Sequence, residues 1–429
     1  MNTIKWLCVL ILLLLHHEHL FAQKQPLRLT PAIKAEVVDS LSLWLINDYV
    51  SPDTGISISN HIKGRLKAGA YNKINDAADF AEALTFDMWS VNRDLHLAVN
   101  YDPEPPGSYI QNMIKKLQEG KQYNYGLDKV EHLDGNIGYI RMTGFWDLND
   151  QSKEAVDGAF SFLKNSDALI IDLRTSGGGQ PDMVKYISSY FFKDKTHIED
   201  HHHRRQNETI QLWTNPQPNS AVFAMKPLYI LVSHATFSAA EELPYDLQSQ
   251  HRAIIVGEAT GGGAHGTIGK PIKYGFMANI PWGYSINPIT KTNWEKVGVQ
   301  PNIKTDPDSA LHVAMFDFYK HQPPSIKDSL IAVANFRRII NYSKLHPYPI
   351  SLSALKAFVG NYNERRITLE NGILYFNTPN TYRTNLTPLN PTTFTLDHRR
   401  MEFHKDTKGN INEMSIIYAN GRVERFYKK

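Results

Sequence analysis

Apolar residues recur at helical spacing in the first part of the chain. Val37, Val38, Leu41, Trp44 and Leu45 follow Pro31 and predict a helix opened by that proline. A second short helix is expected over 58–68. A third, capped by Asn75 or Asp76, carries Phe80, Ala83, Leu84, Asp87 and Met88. It ends near Asn92-Arg93-Asp94-Leu95-His96-Leu97, where the pattern changes to the apolar run Leu97-Ala98-Val99. After a polar, Pro/Gly-rich stretch at 102–125 the spacing changes again. Apolar runs at 137–142, 168–173, 228–232 and 253–257 read as buried strands, and an amphipathic helix is expected over 149–165. Strand and helix in alternation predict an α/β core. Residues 267–290 read as one or two hairpins, 307–319 as a closing helix and 326–346 as helical. From Leu355 onward the period is two, with turns at Asn371-Gly372, Gly409-Asn410 and Asn420-Gly421.

These patterns set the expected domains. Lys5 and the apolar run from Trp6 to Leu15, followed by Leu20-Phe21-Ala22, read as a signal peptide over 1–22. The run is too short to span a bilayer comfortably, and no later segment is long and apolar enough. An exported chain, periplasmic or extracellular, is expected, with no integral membrane segment once the signal is removed. A helical cap then covers 23–100, the α/β core 101–322, a helical linker 323–350 and a small β-barrel-like domain 351–429.

Composition narrows the chemistry. The 429 residues exceed one ordinary core, and the formal net charge of +3 is too small for a nucleic-acid surface. The one cysteine, Cys8, lies within the signal. That excludes a thiol nucleophile, a disulfide and a cysteine-bound zinc from the mature chain. In Asp200-His201-His202-His203-Arg204, neighbouring histidines point in different directions and Arg204 and Arg205 repel cations. A solvated surface hairpin is expected there, and no metal or cofactor.

One joint stands out. Ser238 ends the turn after the strand at 228–232 and opens a helix beginning Ala239-Ala240-Glu241-Glu242. It reads as an ordinary helix cap, or as a nucleophile beside unpaired amides that can hold a developing oxyanion. The glycines after Asp172-Leu173-Arg174, Gly177-Gly178-Gly179, read as a tight turn or an anion cradle; neither dinucleotide nor Walker spacing is present. His96 sits where helix gives way to strand, half-buried and satisfied or free to face a cleft. Glu295 follows a bulky aromatic, as a surface carboxylate or one held against a partner.

In order along the chain, His96, Asp172-Leu173-Arg174 with its glycines, Thr236-Phe237-Ser238-Ala239-Ala240-Glu241, Gly257-Glu258-Ala259-Thr260-Gly261-Gly262 and Glu295 with Gly298-Val299-Gln300-Pro301 resemble the tail-specific (C-terminal-processing) serine peptidases. The branch is the one similar to interphotoreceptor retinoid-binding protein and the tricorn protease core. The resemblance covers about residues 30–320. It implies a crotonase/Clp-protease-like ββα core and peptide or protein substrates. It implies Ser238 as nucleophile, the amides of Ala239, Gly178 and Gly179 as oxyanion hole, and His96 as base oriented by Glu295. The lysine that serves some members is missing from 258–265, while His265 and His234 are rival bases. Where tricorn-like members place a relaying serine beside the histidine, this chain has Leu95, and no inserted peptide-binding module fits its length. Two other functions share the fold: a non-catalytic binding protein for a lipophilic or peptide ligand, and a coenzyme A thioester enzyme, which export disfavours.

Overall fold

The computed structural model describes residues 27–102, 118–321, 337, 340, 341, 344, 347–379, 382–418 and 422–429. The expected signal peptide, most of the stretch at 102–125, most of the helical linker and the Asn420-Gly421 turn lie outside the described residues.

Three helices form the cap: α1 (Pro31–Asp48), α2 (Pro52–Lys67) and α3 (Ala77–Val91). Prolines open α1 and α2, and Asp76 caps α3 by accepting the Ala78 and Asp79 amides. Helix α2 starts earlier than its apolar spacing suggests, because Pro52 supplies the start. Buried Lys34 donates to the Tyr71 and Ile74 carbonyls at 2.8 and 2.6 Å, so its charge is not left bare. The apolar faces of the three helices share one core with β1 (Ala98–Tyr101) and with Phe276, Ala278 and Ile280. His96 lies in the turn between α3 and β1.

The core then runs β2 (Leu127–Leu133), β3 (Ile137–Met142), α4 (Asp150–Leu163), β4 (Ala168–Asp172), α5 (Pro181–Ser188), β5 (His197–His203), β6 (Glu208–Trp213), β7 (Leu228–Val232), α6 (Ala239–Ser249), β8 (Ile254–Gly257), β9 (His265–Pro271), β10 (Phe276–Ile286), β11 (Ile303–Lys304) and α7 (Ala310–Lys320). Six strands form a sheet in the order β11-β8-β7-β4-β3-β2, parallel except for β2 against β3. Strands β4 and β7 are buried along their whole length, as apolar runs covered on both faces must be. Phe160, Met183, Leu243 and Leu247 cover one face; Ala310, Ala314 and Met315 cover the other. The carboxyl ends of β4 and β7 run into the Gly177–Gly179 and Ser238 turns, the end of a parallel sheet where ligands bind.

A second, antiparallel sheet has the order β1-β10-β5-β6, with β9 also on β10. The hairpin expected around residues 200–204 forms, as β5 and β6, but it is not merely a surface feature. Strand β5 pairs with β6 on one side and β10 on the other, which turns part of the histidine run inward. Long β10 thereby ties the cap to β5 across the end of the parallel sheet.

The C-terminal part is an eight-stranded antiparallel meander: β12 (Gly360–Tyr362), β13 (Arg365–Glu370), β14 (Ile373–Asn377), β15 (Arg383–Asn390), β16 (Thr393–Leu396), β17 (Arg399–Lys405), β18 (Ile411–Ile417) and β19 (Val423–Tyr427). Asn371 and Gly372 both have positive φ, 48° and 79°, as a two-residue hairpin requires. A bridge from Tyr362 to Lys428 nearly closes the sheet around Phe358, Phe394, Phe403 and Met414.

Candidate active site

The turn between β7 and α6 is tied to the turn after β4. Thr236 Oγ1 donates to the Leu173 carbonyl at 2.9 Å, Ser233 Oγ to that of Arg174 at 2.6 Å, and the Phe237 amide to that of Ser176 at 3.1 Å. Arg174 is held in turn by two hydrogen bonds to the Asp172 carboxylate. Ser238 has φ 57° and ψ −129°, a conformation that costs a side-chain-bearing residue about 1–3 kcal/mol. Fully buried Glu241 sustains it. Its carboxylate accepts the amides of Ser238, Gly262 and Gly263 at 2.7–2.8 Å and the Thr260 hydroxyl. A serine on such a sharp strand-to-helix turn presents its oxygen to a cleft.

His96 meets it there. Nε2 of His96 is 3.0 Å from Ser238 Oγ. The imidazole lies against the Phe237 ring, centroids 4.6 Å apart. Gly263 makes room for it: a Cβ at that position would stand 2.7 Å from His96 Cε1. Burial drives the His96 pKa down to about 4, against the opposing pull of Asp94. The ring is therefore neutral at pH 7 and able to take a proton.

The carboxylate next to His96 is Asp94, not Glu295. Asp94 is two residues earlier and bends back, its Oδ1 accepting the His96 amide at 3.0 Å and lying 3.8 Å from His96 Nδ1. Its Oδ2 accepts Tyr49 Oη at 3.0 Å and pairs with His265 Nδ1 at 2.8 Å. Burial works to raise the Asp94 carboxyl, but the His265 hydrogen bond and the two nearby histidines hold it below the usual range. His265 moves the other way: burial lowers it, and the bond and charge of Asp94 raise it further. Glu295 stands behind His265. Its Oε2 is 3.7 Å from His265 Nδ1 and accepts the Ala264 amide at 2.8 Å, which fixes it away from His96. No hydrogen bond or ion pair joins Glu295 to His96 among the described residues. His234 is exposed, and its amide is bound to Glu258, so it does not compete for Ser238.

Across from His96, Gly178 and Gly179 have φ of 101° and 144°. A Cβ on Gly178 would stand 2.8 Å from Ser238 Cβ and 3.0 Å from the Ala239 nitrogen, so only glycine lets the loop approach this closely. Phe145 clamps the loop: its amide donates to Gly178, and its carbonyl accepts from Gln180. No described residue accepts the amide protons of Gly178, Gly179 or Ala239. Free amides beside a hydroxyl and a neutral imidazole can hold the oxyanion formed when the hydroxyl adds to a carbonyl.

Residues 136–305 match the family described as peptidase family S41, and residues 24–124 match the N-terminal domain of Peptidase S41 in eukaryotic IRBP. The chain belongs to peptidase family S41. Over 282 residues it is 25% identical to a carboxy-terminal-processing protease of Bartonella bacilliformis, covering 65% of this chain and 56% of that one. Over 129 residues it is 33% identical to carboxyl-terminal-processing peptidase 2, chloroplastic, of Arabidopsis thaliana, covering 29% and 24%. The chain thus spans about half the length of the first of these relatives and a quarter of the second. Among solved structures, a putative peptidase from Parabacteroides merdae matches with TM-score 0.46 and 16% identity over 64% of this chain and 90% of that one. The tricorn protease matches with TM-score 0.41 and 12% identity over 68% and 36%.

In this S41 chain Ser238 opens onto a cavity of about 280 Å³. Gly179, Ala239, His265, Trp282, His201 and Glu242 are among the residues that line it. Asp94, Glu241, Glu242 and Glu199 have no role among the expectations drawn from the sequence. Glu241 was detectable, since Ser-x-x-Glu at a helix start is a capping-box spacing. Asp94 carried a weaker signal, an Asp two residues from a histidine. For Glu199 and Glu242 no local signal exists, because they meet only through the β5–α6 packing.

Proposed function

We propose that this S41 chain is an exported serine peptidase that cleaves peptide bonds in a peptide or protein through an acyl-enzyme on Ser238. The observation that carries the reading is the 3.0 Å approach of a neutral, buried His96 Nε2 to a serine hydroxyl on a strained turn. His96 takes the hydroxyl proton as Ser238 Oγ adds to the carbonyl carbon. The amides of Gly178, Gly179 and Ala239 receive the oxyanion. His96 then gives the proton to the leaving amine, and water activated by the same ring releases the acyl group. Asp94, 3.8 Å from Nδ1, stabilises the imidazolium through its charge. His265 and Glu295 keep Asp94 in place, a more distant role for Glu295 than direct orientation of the base. Export rests on the apolar run after Lys5, and no described helix is long and apolar enough to cross a membrane. Hydrolysis of a broad peptide library by the purified protein tests the reading. The activity should disappear in Ser238→Ala; a loss of less than about tenfold would overturn the proposal and leave a ligand-binding protein on this fold.

A further inference from the structure

The wall of the same cavity carries a second set of ligating side chains, His201 and Glu242, with Glu199 beside them. Glu199 and His201 are two apart on β5, so both point to the same face of the sheet. Helix α6 supplies Glu242 to that face. One donor atom from each of the three lies within 4.8 Å of the others. His201 Nε2 is 3.3 Å from Glu199 Oε2, the separation that two ligand bonds of about 2.1 Å span at a near-tetrahedral angle.

The surroundings lack the donors that such carboxylates need. Glu199 and Glu242 are 0% and 3% exposed, and Oε1 of each accepts no hydrogen bond from a described residue. Asp246, also buried, adds a third carboxylate nearby; Asn287 donates to its Oδ1 at 3.0 Å, while its Oδ2 accepts nothing. The two arginines expected to repel a cation point elsewhere. Arg204 donates to the Tyr49 and Ile46 carbonyls, and Arg205 pairs with Asp48. Among the described residues no lysine or arginine pairs with Glu199, Glu242 or Asp246. Buried carboxylates left this way are costly unless a proton neutralises them or a cation joins them.

We propose that Glu199, His201 and Glu242 bind one divalent transition-metal ion. An imidazole with two carboxylates suits zinc, cobalt or manganese. Three protein ligands leave a position open, and it faces the cavity, since His201 and Glu242 line it. None of the three ligands belongs to the Ser238–His96 pair.

Zinc titration of the full chain, stripped of metal and of any histidine tag, tests this by calorimetry. The result expected is one equivalent bound per chain at micromolar or tighter affinity, undiminished in Ser238→Ala, where any peptidase activity is gone. His201→Ala and Glu242→Gln should each weaken binding by more than the roughly tenfold that loss of an outer partner costs. His202→Ala, whose ring meets Thr209 and Tyr284 instead, should bind as before. Cobalt in the unmodified protein should give the visible bands of a four-coordinate ion, displaced by zinc; this readout stands even where a variant does not fold. Absence of stoichiometric binding by the unmodified protein, or binding that survives both substitutions, would overturn the site and leave Glu199 and Glu242 sharing a proton.

Discussion

Two groups of buried acids and histidines flank Ser238, and the fold treats them in opposite ways. On the His96 side, Asp94 accepts the His96 amide, the Tyr49 hydroxyl and His265, while Glu295 accepts the Ala264 amide. On the His201 side, Glu199, Glu242 and Asp246 each keep an oxygen without a donor. The residue types are nearly the same. Asp94, with its donors and two histidines beside it, is held below the usual range and fixes His96 and His265, whereas burial raises Glu295 in spite of the Ala264 amide. A carboxylate denied donors is driven toward protonation: burial, Glu199 and Asp246 raise Glu242 well above the usual range. The first group is built to orient and the second to receive a cation or a proton.

The comparison breaks most easily at the hydroxyl. Ser238→Ala and His96→Ala should each lower kcat/KM by on the order of 10⁴-fold, measured on a cleaved peptide. Gly263→Ala removes no polar group but puts a Cβ 2.4 Å from the Phe237 ring and 2.7 Å from His96 Cε1, and should cost about 10²-fold by displacing the imidazole and the ring it lies against. Asp94→Asn keeps an acceptor for the His96 amide, but removes the charge and puts an NH2 group where Oδ2 accepts Tyr49 Oη and pairs with His265. It should cost roughly tenfold or somewhat more, and Glu295→Gln less than that.

The pH profile sharpens the same contrast. With His96 driven to about pH 4 by burial, the acid limb of kcat/KM should fall near pH 4 instead of at 6.5. Asp94 raises His96, so Asp94→Asn should move that limb lower still. A limb that moves up would mean Asp94 does not act on the imidazole.

The smallest effect is on stability. The unfolded chain protonates His96 below about pH 6.5, whereas the folded one resists until about 4. Stability from this residue is therefore present above 6.5 and lost as pH falls toward 4. His265, raised in the folded state, contributes below 6.5 and loses that contribution as pH rises through its folded value. Denaturant midpoints of His96→Ala should depend less on pH between 4 and 6.5 than those of the unmodified protein.

Much of this was legible in the sequence because it is local. The apolar runs of β4 and β7, the glycine turns after them, the prolines opening α1 and α2 and the Asn371-Gly372 hairpin are each written within a few residues. The junction placements of Ser238 and His96 were local too. What escaped depends on distant pairing. Residues 200–204 read as solvated because the second neighbour of β5, the strand β10, comes some eighty residues later. The family resemblance implies Glu295 as the partner of His96, yet the backbone bend at Asp94 puts a nearer carboxylate there. Pairing of acids across β5 and α6 has no sequence spacing of its own.

The central claim, that His96 activates Ser238 as a nucleophile, is tested most directly by a serine-reactive phosphonate and peptide mapping by mass spectrometry. A single adduct on Ser238, formed in the unmodified protein and slowed by orders of magnitude in His96→Ala, is the result predicted. An unlabelled Ser238, or one labelled equally fast without the imidazole, would contradict it.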